Sequence, residues 1–233
     1  MTIKGAYPKV SWLKKALSYL YDIKVESTSS PYNECLDVFL SKGRYSLATK
    51  NAVYSYEDLY WNFRIAFEKL PLDQLNIQKV LILGLGLGSI PLLLEQKFEQ
   101  NYTYTVVEID AKVIELAQKY GFASRGLSSP IELVCADAFS YLENCTASYD
   151  LIAIDLFIDN EVPEQFERID FLQNTKRCLS PKGILMYNRL AYKKNLAKKT
   201  QSFFQDTFKK IYPMAIELEI KGNKMLVNRE VTK

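Results

Sequence analysis

Apolar residues fill positions 80–83, and glycines follow at positions 84, 86 and 88. A short, continuous apolar run is typical of a strand that is buried on both faces of a sheet. From this point the chain alternates between such runs and segments with helical spacing. The predicted strands are residues 80–83, 103–107, 131–135, 151–154 and 184–188, and the predicted helices are 89–97, 111–120, 138–142, 164–179 and 196–211.

This alternation indicates right-handed crossovers and a parallel sheet with helices on both faces. The end of the chain departs from it, because two β-rich runs at 215–220 and 224–228 flank a Gly222-Asn223 turn. Such a pair predicts an antiparallel hairpin. The expected fold class is therefore α/β: a doubly wound, mostly parallel seven-stranded sheet with an antiparallel C-terminal hairpin.

The first 70 residues have a different pattern, which predicts a small N-terminal helix and a β-hairpin region. Residues 8–21 place four aliphatic side chains on one helical face. Residues 22–55 contain short β-rich runs, and a break at 41–44 reads as a hairpin turn. Ser55, with Asp58 three residues later, is a candidate cap for a helix that ends before Pro71. We therefore expect an N-terminal region at 1–70 and a Rossmann-like domain at 71–233.

Composition excludes several function classes. The chain has 30 basic and 27 acidic residues, a net charge of +3, and no histidine. The small charge gives no reason to expect nucleic acid, and we interpret the C-terminal lysines as a solvated helix face. Without histidine, Ser-His-Asp and Cys-His catalysis and histidine-ligated metals are excluded, and we expect no metal site. Four scattered cysteines and no long apolar stretch favour a cytoplasmic protein without a membrane segment.

Candidate chemistry lies at the carboxyl ends of the predicted strands, where open α/β sheets bind ligands. Gly84, Gly86 and Gly88 allow a tight turn against a cofactor. Glu108 ends the second strand and is placed to accept the ribose hydroxyls of a nucleoside. Asp155 ends the fourth strand and is the best candidate for an acid that faces the substrate.

Each of the other acids in these loops can be interpreted either as a ligand contact or as a structural residue. Asp110 is better explained as the cap of the helix that begins at 111 than as a ligand contact. Asp137 is either the cap of its short helix or an acceptor for an adenine amino group. Asp159 belongs either to the site or to the loop alone.

The spacing of the glycines distinguishes between nucleoside cofactors. A dinucleotide fingerprint has glycines at its first, third and sixth positions, whereas here Ser89 takes the sixth position. This spacing and the C-terminal hairpin favour S-adenosylmethionine over a nicotinamide dinucleotide.

The segments VLILGLGLG, VVEID, VCADAFSYL and YDLIAIDLF, in this order, resemble the class I S-adenosylmethionine-dependent methyltransferases. More narrowly, with YSYEDLYWN at 54–62, they are similar to the spermidine synthase family. The resemblance implies binding of S-adenosylmethionine or its decarboxylated form, and a homodimer formed through the N-terminal region. The implied residues are Gly84, Gly86, Gly88, Glu108, Asp137 and Ala138 for the cofactor and Asp155, Asp159 and Tyr60 for catalysis.

Three departures from the family pattern bear on the reaction. Leu87 stands where the family has an aspartate in the glycine loop, and Asn62 stands where it has a glutamate. Asp155 and Asp159 are four residues apart instead of three. Because a polyamine needs several carboxylates in one pocket, these departures favour methyl transfer to a small-molecule amine or hydroxyl over aminopropyl transfer.

Two alternatives remain open at this stage. One is an aminopropyltransferase (a spermidine synthase) whose acids come from Glu57, Asp58 or Asp159. The other is a non-catalytic protein that binds a nucleoside or a protein partner. In the favoured methyltransferase, Asp155 would orient or deprotonate the acceptor, and Tyr56 and Tyr60 would form a wall of the pocket. The apolar residues at 156–158 suggest an acceptor that is less polar than a polyamine.

Overall fold

The computed structural model describes residues 10–50, 53–122, 126–158 and 161–230. Its eleven strands form two sheets, with β1–β4 in the first and β5–β11 in the second. The strands are β1 (Ile23–Thr28), β2 (Leu36–Ser41), β3 (Arg44–Ala48), β4 (Val53–Ser55), β5 (Lys79–Leu83), β6 (Thr103–Glu108), β7 (Ile131–Cys135), β8 (Tyr149–Ile154), β9 (Leu179–Leu190), β10 (Ile216–Ile220) and β11 (Asn223–Val227).

The described α-helices are α1 (Trp12–Leu17), α2 (Trp61–Glu68), α3 (Ser89–Leu92), α4 (Ala111–Leu116), α5 (Ala138–Asn144), α6 (Ile169–Cys178), α7 (Lys194–Phe203) and α8 (Lys209–Ile211). Those that follow β5 cover both faces of the second sheet. Wider π-helical turns continue α3, α4 and α7 over Leu93–Lys97, Ala117–Phe122 and Phe204–Phe208. Short 3₁₀ turns lie at Glu57–Leu59, Leu72–Gln74 and Glu164–Glu167.

The second sheet has the strand order β10-β11-β9-β8-β5-β6-β7. Strands β5 to β9 pair in parallel, whereas β11 is antiparallel to both of its neighbours. The chain leaves β5 in one direction through β6 and β7, then returns to its other side through β8 and β9. The point where the order reverses therefore lies between β5 and β8, and the predicted fold class is confirmed.

The core continues from one sheet into the other. Alternate residues of β5 point to opposite faces, so Val80 and Ile82 join one buried cluster and Leu81 and Leu83 join the other. The first cluster also contains the buried apolar residues of β2 and α2. The N-terminal sheet thus shares its core with the second sheet, and a domain boundary at residue 70 remains a prediction.

Several predicted N-terminal elements differ from the structure. The helix expected at 8–21 is the short α1, and residues 1–9 lie outside the described part of the chain. Leu13 and Leu20, from the predicted buried face, are exposed. The expected hairpin is a four-stranded sheet, because β4 pairs with β3.

The predicted helix cap at Ser55 is also wrong. The Ser55 hydroxyl lies 2.7 Å from the hydroxyl of Ser89, and α2 begins only at Trp61 after a 3₁₀ turn. This contact ties the end of β4 to the start of α3. The Ser55 side chain therefore forms a tertiary hydrogen bond instead of the local helix cap that the sequence predicted.

Candidate functional site

Gly84 allows the ends of β5 and β8 to meet at the point where the strand order reverses. Its φ is +94°, and a Cβ built on it would lie 2.2 Å from the carbonyl oxygen of Asp155. The Gly84 N–H donates to the carbonyl of Val107, and the Asp155 N–H donates to that of Leu83. A side chain at position 84 would therefore push Asp155 out of place.

A cavity of about 620 Å³ opens at this point, within the range of small-molecule sites. One end is lined by Gly84, Gly86, Glu108, Asp137 and Ala138, and the other by Tyr60, Asn62, Asp155, Phe157, Asn188 and Tyr192. The structure thus brings most of the predicted site residues to one cavity. We call the two ends the Glu108 end and the Asp155 end.

Glu108 is fixed by the backbone at its end of the cavity. The N–H of Leu85 donates to its Oε2 at 3.0 Å, and the N–H of Asp110 donates to its Oε1 at 3.0 Å. Burial raises the pKa of Glu108, while these N–H groups oppose the rise. A carboxylate has about four acceptor sites, so Glu108 can still accept a hydroxyl donor from the cavity.

Asp137 caps a helix and also lines the cavity, so its position is compatible with both interpretations drawn from the sequence. It caps α5, because its Oδ1 accepts from the N–H of Ser140 at 2.9 Å. Its Oδ2 accepts from Gln165 Nε2 at 3.0 Å, and both side chains line the cavity. Ala138, the first residue of α5, lies beside it.

Asp110 is a helix cap, as predicted. Its Oδ1 accepts from the N–H of Lys112 at 2.9 Å, and its Oδ2 accepts from Asn33 Nδ2 at 2.8 Å and from the Ser30 hydroxyl. It is buried, and it holds the segment between β1 and β2 beside the cavity. Tyr54 adds to this junction by donating to Asn33 Oδ1 at 3.0 Å.

A chain of hydrogen bonds holds Asp155 at the other end of the cavity. The Tyr60 hydroxyl donates to Oδ2 at 2.7 Å, and Asn188 Nδ2 donates to Oδ1 at 2.9 Å. Asn188 Oδ1 in turn accepts from Asn223 Nδ2 at 2.8 Å. Burial raises the pKa of Asp155 to about 6, although both of its donors favour the charged form. Near neutral pH it is an ionised carboxylate that lacks the solvation of bulk water.

The remaining residues of the glycine loop are divided between the cavity and the core. Gly86 lines the cavity, but a Cβ there would meet Ser55 at 2.8 Å. A Cβ on Gly88 would lie 2.3 Å from the ring of Phe122, and Gly88 is not among the described residues that line the cavity. Leu87 is buried in the core. The loop therefore presents Gly84 and Gly86, and not Gly88, to a ligand.

Two of the alternative acids, Glu57 and Asp58, do not line this cavity. Glu57 is buried, and its Oε1 accepts from the N–H of Tyr45. Asp58 forms an ion pair with Arg44. Tyr56, expected as a wall of the pocket, donates to the Ser41 hydroxyl at 2.8 Å instead. Asp159 lies outside the described residues.

The charged side chains described as lining the cavity are all acidic. Among the described residues that line it, the acids are Glu108, Asp137 and Asp155, and none is lysine or arginine. The cavity therefore favours a cationic ligand. No group of three or more potential metal-ligating side chains occurs in the described residues. Within the same ranges, no helix is long and apolar enough to cross a membrane.

Sequence reasoning missed seven polar residues among those described as lining the cavity: Tyr32, Asn33, Tyr54, Gln165, Asn188, Tyr192 and Asn223. Tyr32 and Asn33 come from the segment between β1 and β2, and Tyr54 comes from β4. No local pattern indicates that this region contacts the second sheet. Asn188 ends the predicted fifth strand, so the strand-end rule that selected Asp155 would also have found it. Asn223 lies at the end of a hairpin turn and carried no such signal.

Comparison with known proteins identifies the family. The Spermine/spermidine synthase domain matches residues 66–228. The chain belongs to this family. A polyamine aminopropyltransferase of Vibrio vulnificus is 28% identical over 154 residues, which are 65% of this chain and 50% of that protein. The chain thus spans half the length of this curated relative.

Solved structures of spermidine synthase-like and methyltransferase proteins share the fold. Spermidine synthase from Thermotoga maritima superposes with a TM-score of 0.68 at 19% identity, over 88% of this chain and 72% of that one. Human methyltransferase-like protein 13 in complex with SAH has a TM-score of 0.57 at 24% identity, over 74% of this chain and 81% of that one. The fold therefore occurs with both aminopropyl and methyl transfer.

Proposed function

We propose that the protein transfers an aminopropyl group from decarboxylated S-adenosylmethionine to an amine bound beside Asp155. The observation that carries this proposal is the acidic lining of the cavity, with Glu108 at one end and Asp155 at the other. The decarboxylated donor carries a sulfonium and an ammonium group and no carboxylate. S-adenosylmethionine itself would add a carboxylate for which the described lining offers no basic side chain.

The residues of the Glu108 end suit the nucleoside part of such a donor. Glu108 would accept the ribose hydroxyls, and Asp137 with Ala138 would face the adenine edge. Gly84 and Gly86 would let the backbone approach the sulfur-bearing chain. The bound sulfonium supplies an alkyl carbon that is already activated, so catalysis depends mainly on alignment and on proton removal.

At the other end, Asp155 would bind the acceptor amine and take its proton. With a pKa of about 6, the carboxylate is ionised near neutral pH and still basic enough to accept a proton in the transition state. Tyr60 donates to one of its oxygens and stacks on Phe63, which fixes the orientation of the phenol ring. The acceptor would lie against Leu156, Phe157 and Phe166.

Methyl transfer is the second candidate, and it was favoured by the departures in the sequence. Its support is Leu87, which is buried in the core where the family pattern has an acid for the aminopropyl end. The curated relatives support aminopropyl transfer better, because those from Vibrio vulnificus and Hyperthermus butylicus are both named polyamine aminopropyltransferases.

A crossed incubation tests the proposal. Each donor, decarboxylated or intact, is combined with putrescine or with a monoamine, and the nucleoside products are separated by mass spectrometry. We expect methylthioadenosine to form in equal amount to an aminopropylated amine. S-adenosylhomocysteine formed only from the intact donor would establish methyl transfer instead, and no turnover with any pair would favour a binding protein.

Variants of two acids on β8 and its loop provide the matched control. Asp155→Asn should lower kcat by about 100-fold or more, because it removes the proton acceptor. Asp150→Asn should retain turnover, because Asp150 lies outside the cavity, where its carboxylate accepts from the N–H groups of Gln78 and Lys79. Equal activity of the two variants would contradict the role of Asp155.

A further inference from the structure

The C-terminal hairpin brings a second buried amide to the Asp155 end of the cavity. A two-residue turn at Lys221-Gly222 joins β10 to β11, and Gly222 provides the positive φ of +84° that this turn uses. Asn223 therefore becomes the first residue of β11, opposite Leu190 of β9. Asn188 lies two residues before Leu190, so it shares a face of the sheet with Asn223 as its diagonal neighbour.

The hydrogen bonds between these residues run in one direction. Asn223 donates to Asn188 Oδ1 at 2.8 Å, which leaves the Nδ2 group of Asn188 directed at Asp155 Oδ1, 2.9 Å away. If the amide of Asn188 were reversed, its oxygen would face the carboxylate and its Nδ2 group would face another donor. Both asparagines are buried, so loss of either bond would leave a polar group without its partner.

We propose that Asn223 and Asn188 form an amide relay that positions Asp155, in which Asn223 fixes the orientation of Asn188 and Asn188 holds one carboxylate oxygen. The effect of the relay on turnover rests on the proposed function. Its effect on the position and pKa of Asp155 does not. Both asparagines are positioning residues, because they act through Asp155. The relay bonds Oδ1 of Asp155, and Oδ2 accepts from the Tyr60 hydroxyl.

If the relay exists, it should lower the pKa of Asp155. Hydrogen bonds donated to the charged form lower the pKa of a carboxyl group, so loss of the relay should raise it above about 6. The other ionisable side chains that line the described cavity are Glu108, Asp137 and the tyrosines Tyr32, Tyr54, Tyr60 and Tyr192. Replacing Asn223 or Asn188 by leucine changes none of these charges.

The test is carboxyl ¹³C NMR of protein labelled at aspartate, with the Asp155 signal assigned by its absence in Asp155→Asn. We expect Asn223→Leu to raise the pKa of Asp155 by about half a unit to one unit, although Asn223 does not touch Asp155. Asn188→Leu should raise it by about one unit or more. An unchanged pKa of Asp155 in a folded Asn223→Leu variant would overturn the relay, even if Asn188→Leu fails to fold.

Asn228→Leu is the matched control. Asn228 is also buried beside β9, but its side chain bonds the N–H of Leu185 and the carbonyl of Gly183, away from the cavity. This variant should lose stability and leave the pKa of Asp155 unchanged. An equal pKa rise in Asn228→Leu would show a general effect of disturbing the hairpin and would overturn the inference.

The pH dependence of activity provides a second test of the relay. In Asn223→Leu, the acidic limb of the kcat/KM profile should move to higher pH by the shift that NMR measures, with the Kd of the donor nucleoside unchanged. A shift by NMR without a shift of this limb would overturn the link between the relay and turnover. If no donor and acceptor pair reacts in the wild-type protein, the proposed function fails, and the NMR arm still decides the relay.

Discussion

At the scale of single residues, Asp155 combines a functional position with an energetic cost. Its folded-state pKa is about 6, above the ordinary 3.8, because burial penalises the charged form. The folded protein therefore binds more protons than the unfolded chain between about pH 4 and pH 6. Its stability decreases as the pH rises through this interval, and the loss is fully present above about pH 6.

Asp155→Asn should therefore stabilise the protein at pH 7.5 while it removes activity. A shift of two units corresponds to about 3 kcal/mol at most, and access of water to the cavity reduces the expected gain to about 1–2 kcal/mol. Urea unfolding at pH 7.5 and at pH 4.5 measures the effect, which should fall to about a third of its full size at the lower pH, where the unfolded carboxyl is still mostly ionised. A variant that is less stable than wild type at pH 7.5 would contradict this account.

Asp150→Asn provides a control of opposite sign. Burial acts to raise the pKa of Asp150, but the N–H groups of Lys79 and Gln78 and the Ser180 hydroxyl outweigh it, and the pKa is lowered. This carboxylate stabilises the fold above its unfolded pKa, and that contribution is lost as the pH falls through the folded value. We expect Asp150→Asn to destabilise the protein at pH 7.5.

At the scale of elements, Asp110 joins α4 to the segment between β1 and β2. One oxygen caps the helix, and the other accepts from Ser30 and Asn33. Asn33 and its neighbour Tyr32 line the cavity, so the same carboxylate that starts α4 also shapes the Glu108 end. A helix cap thus connects the N-terminal sheet to the ligand site.

Asp110→Ala should cost about 2–3 kcal/mol, about 1 from the cap and the rest from buried donors left without an acceptor. Hydrogen exchange should become faster at the amides of Tyr32 and Asn33, which donate to Ser30 Oγ. Asp73→Ala is the control, because Asp73 is exposed in a 3₁₀ turn that has no side-chain cap bond. Unchanged exchange in Asp110→Ala would argue against the connection.

The elements also divide into those that the sequence could predict and those that it could not. Strands β5, β6, β8 and β9 follow from apolar runs because both of their faces are largely buried, and that requirement is local to each strand. β4 has only three residues and depends on pairing with β3, which is not a local property. The same reason separates Glu108 and Asp155, found at strand ends, from Asn33 and Asn223, which reach the cavity through tertiary packing.

At the scale of the whole molecule, the N-terminal segment exposes an unusual amount of apolar surface. Five large apolar side chains between residues 12 and 21 are exposed, with Trp12 and Leu20 each 81% accessible. Single exposed apolar residues are common, but a group of this size is typical of an interaction surface. The segment lies in the N-terminal region through which the family resemblance implies a homodimer.

We therefore predict that the wild-type protein is a dimer whose interface includes α1. Light scattering after size-exclusion chromatography should give twice the chain mass of 26.9 kDa. The double variant Trp12→Ser/Leu20→Ser should give a folded monomer, because both side chains are solvated in the single chain and their replacement removes no buried contact within it. Met214→Ser, at a residue equally open to solvent outside this segment, should remain dimeric.

A wild-type protein with the mass of one chain at micromolar concentration would contradict the prediction. A double variant that still forms dimers would show that the interface does not depend on Trp12 and Leu20.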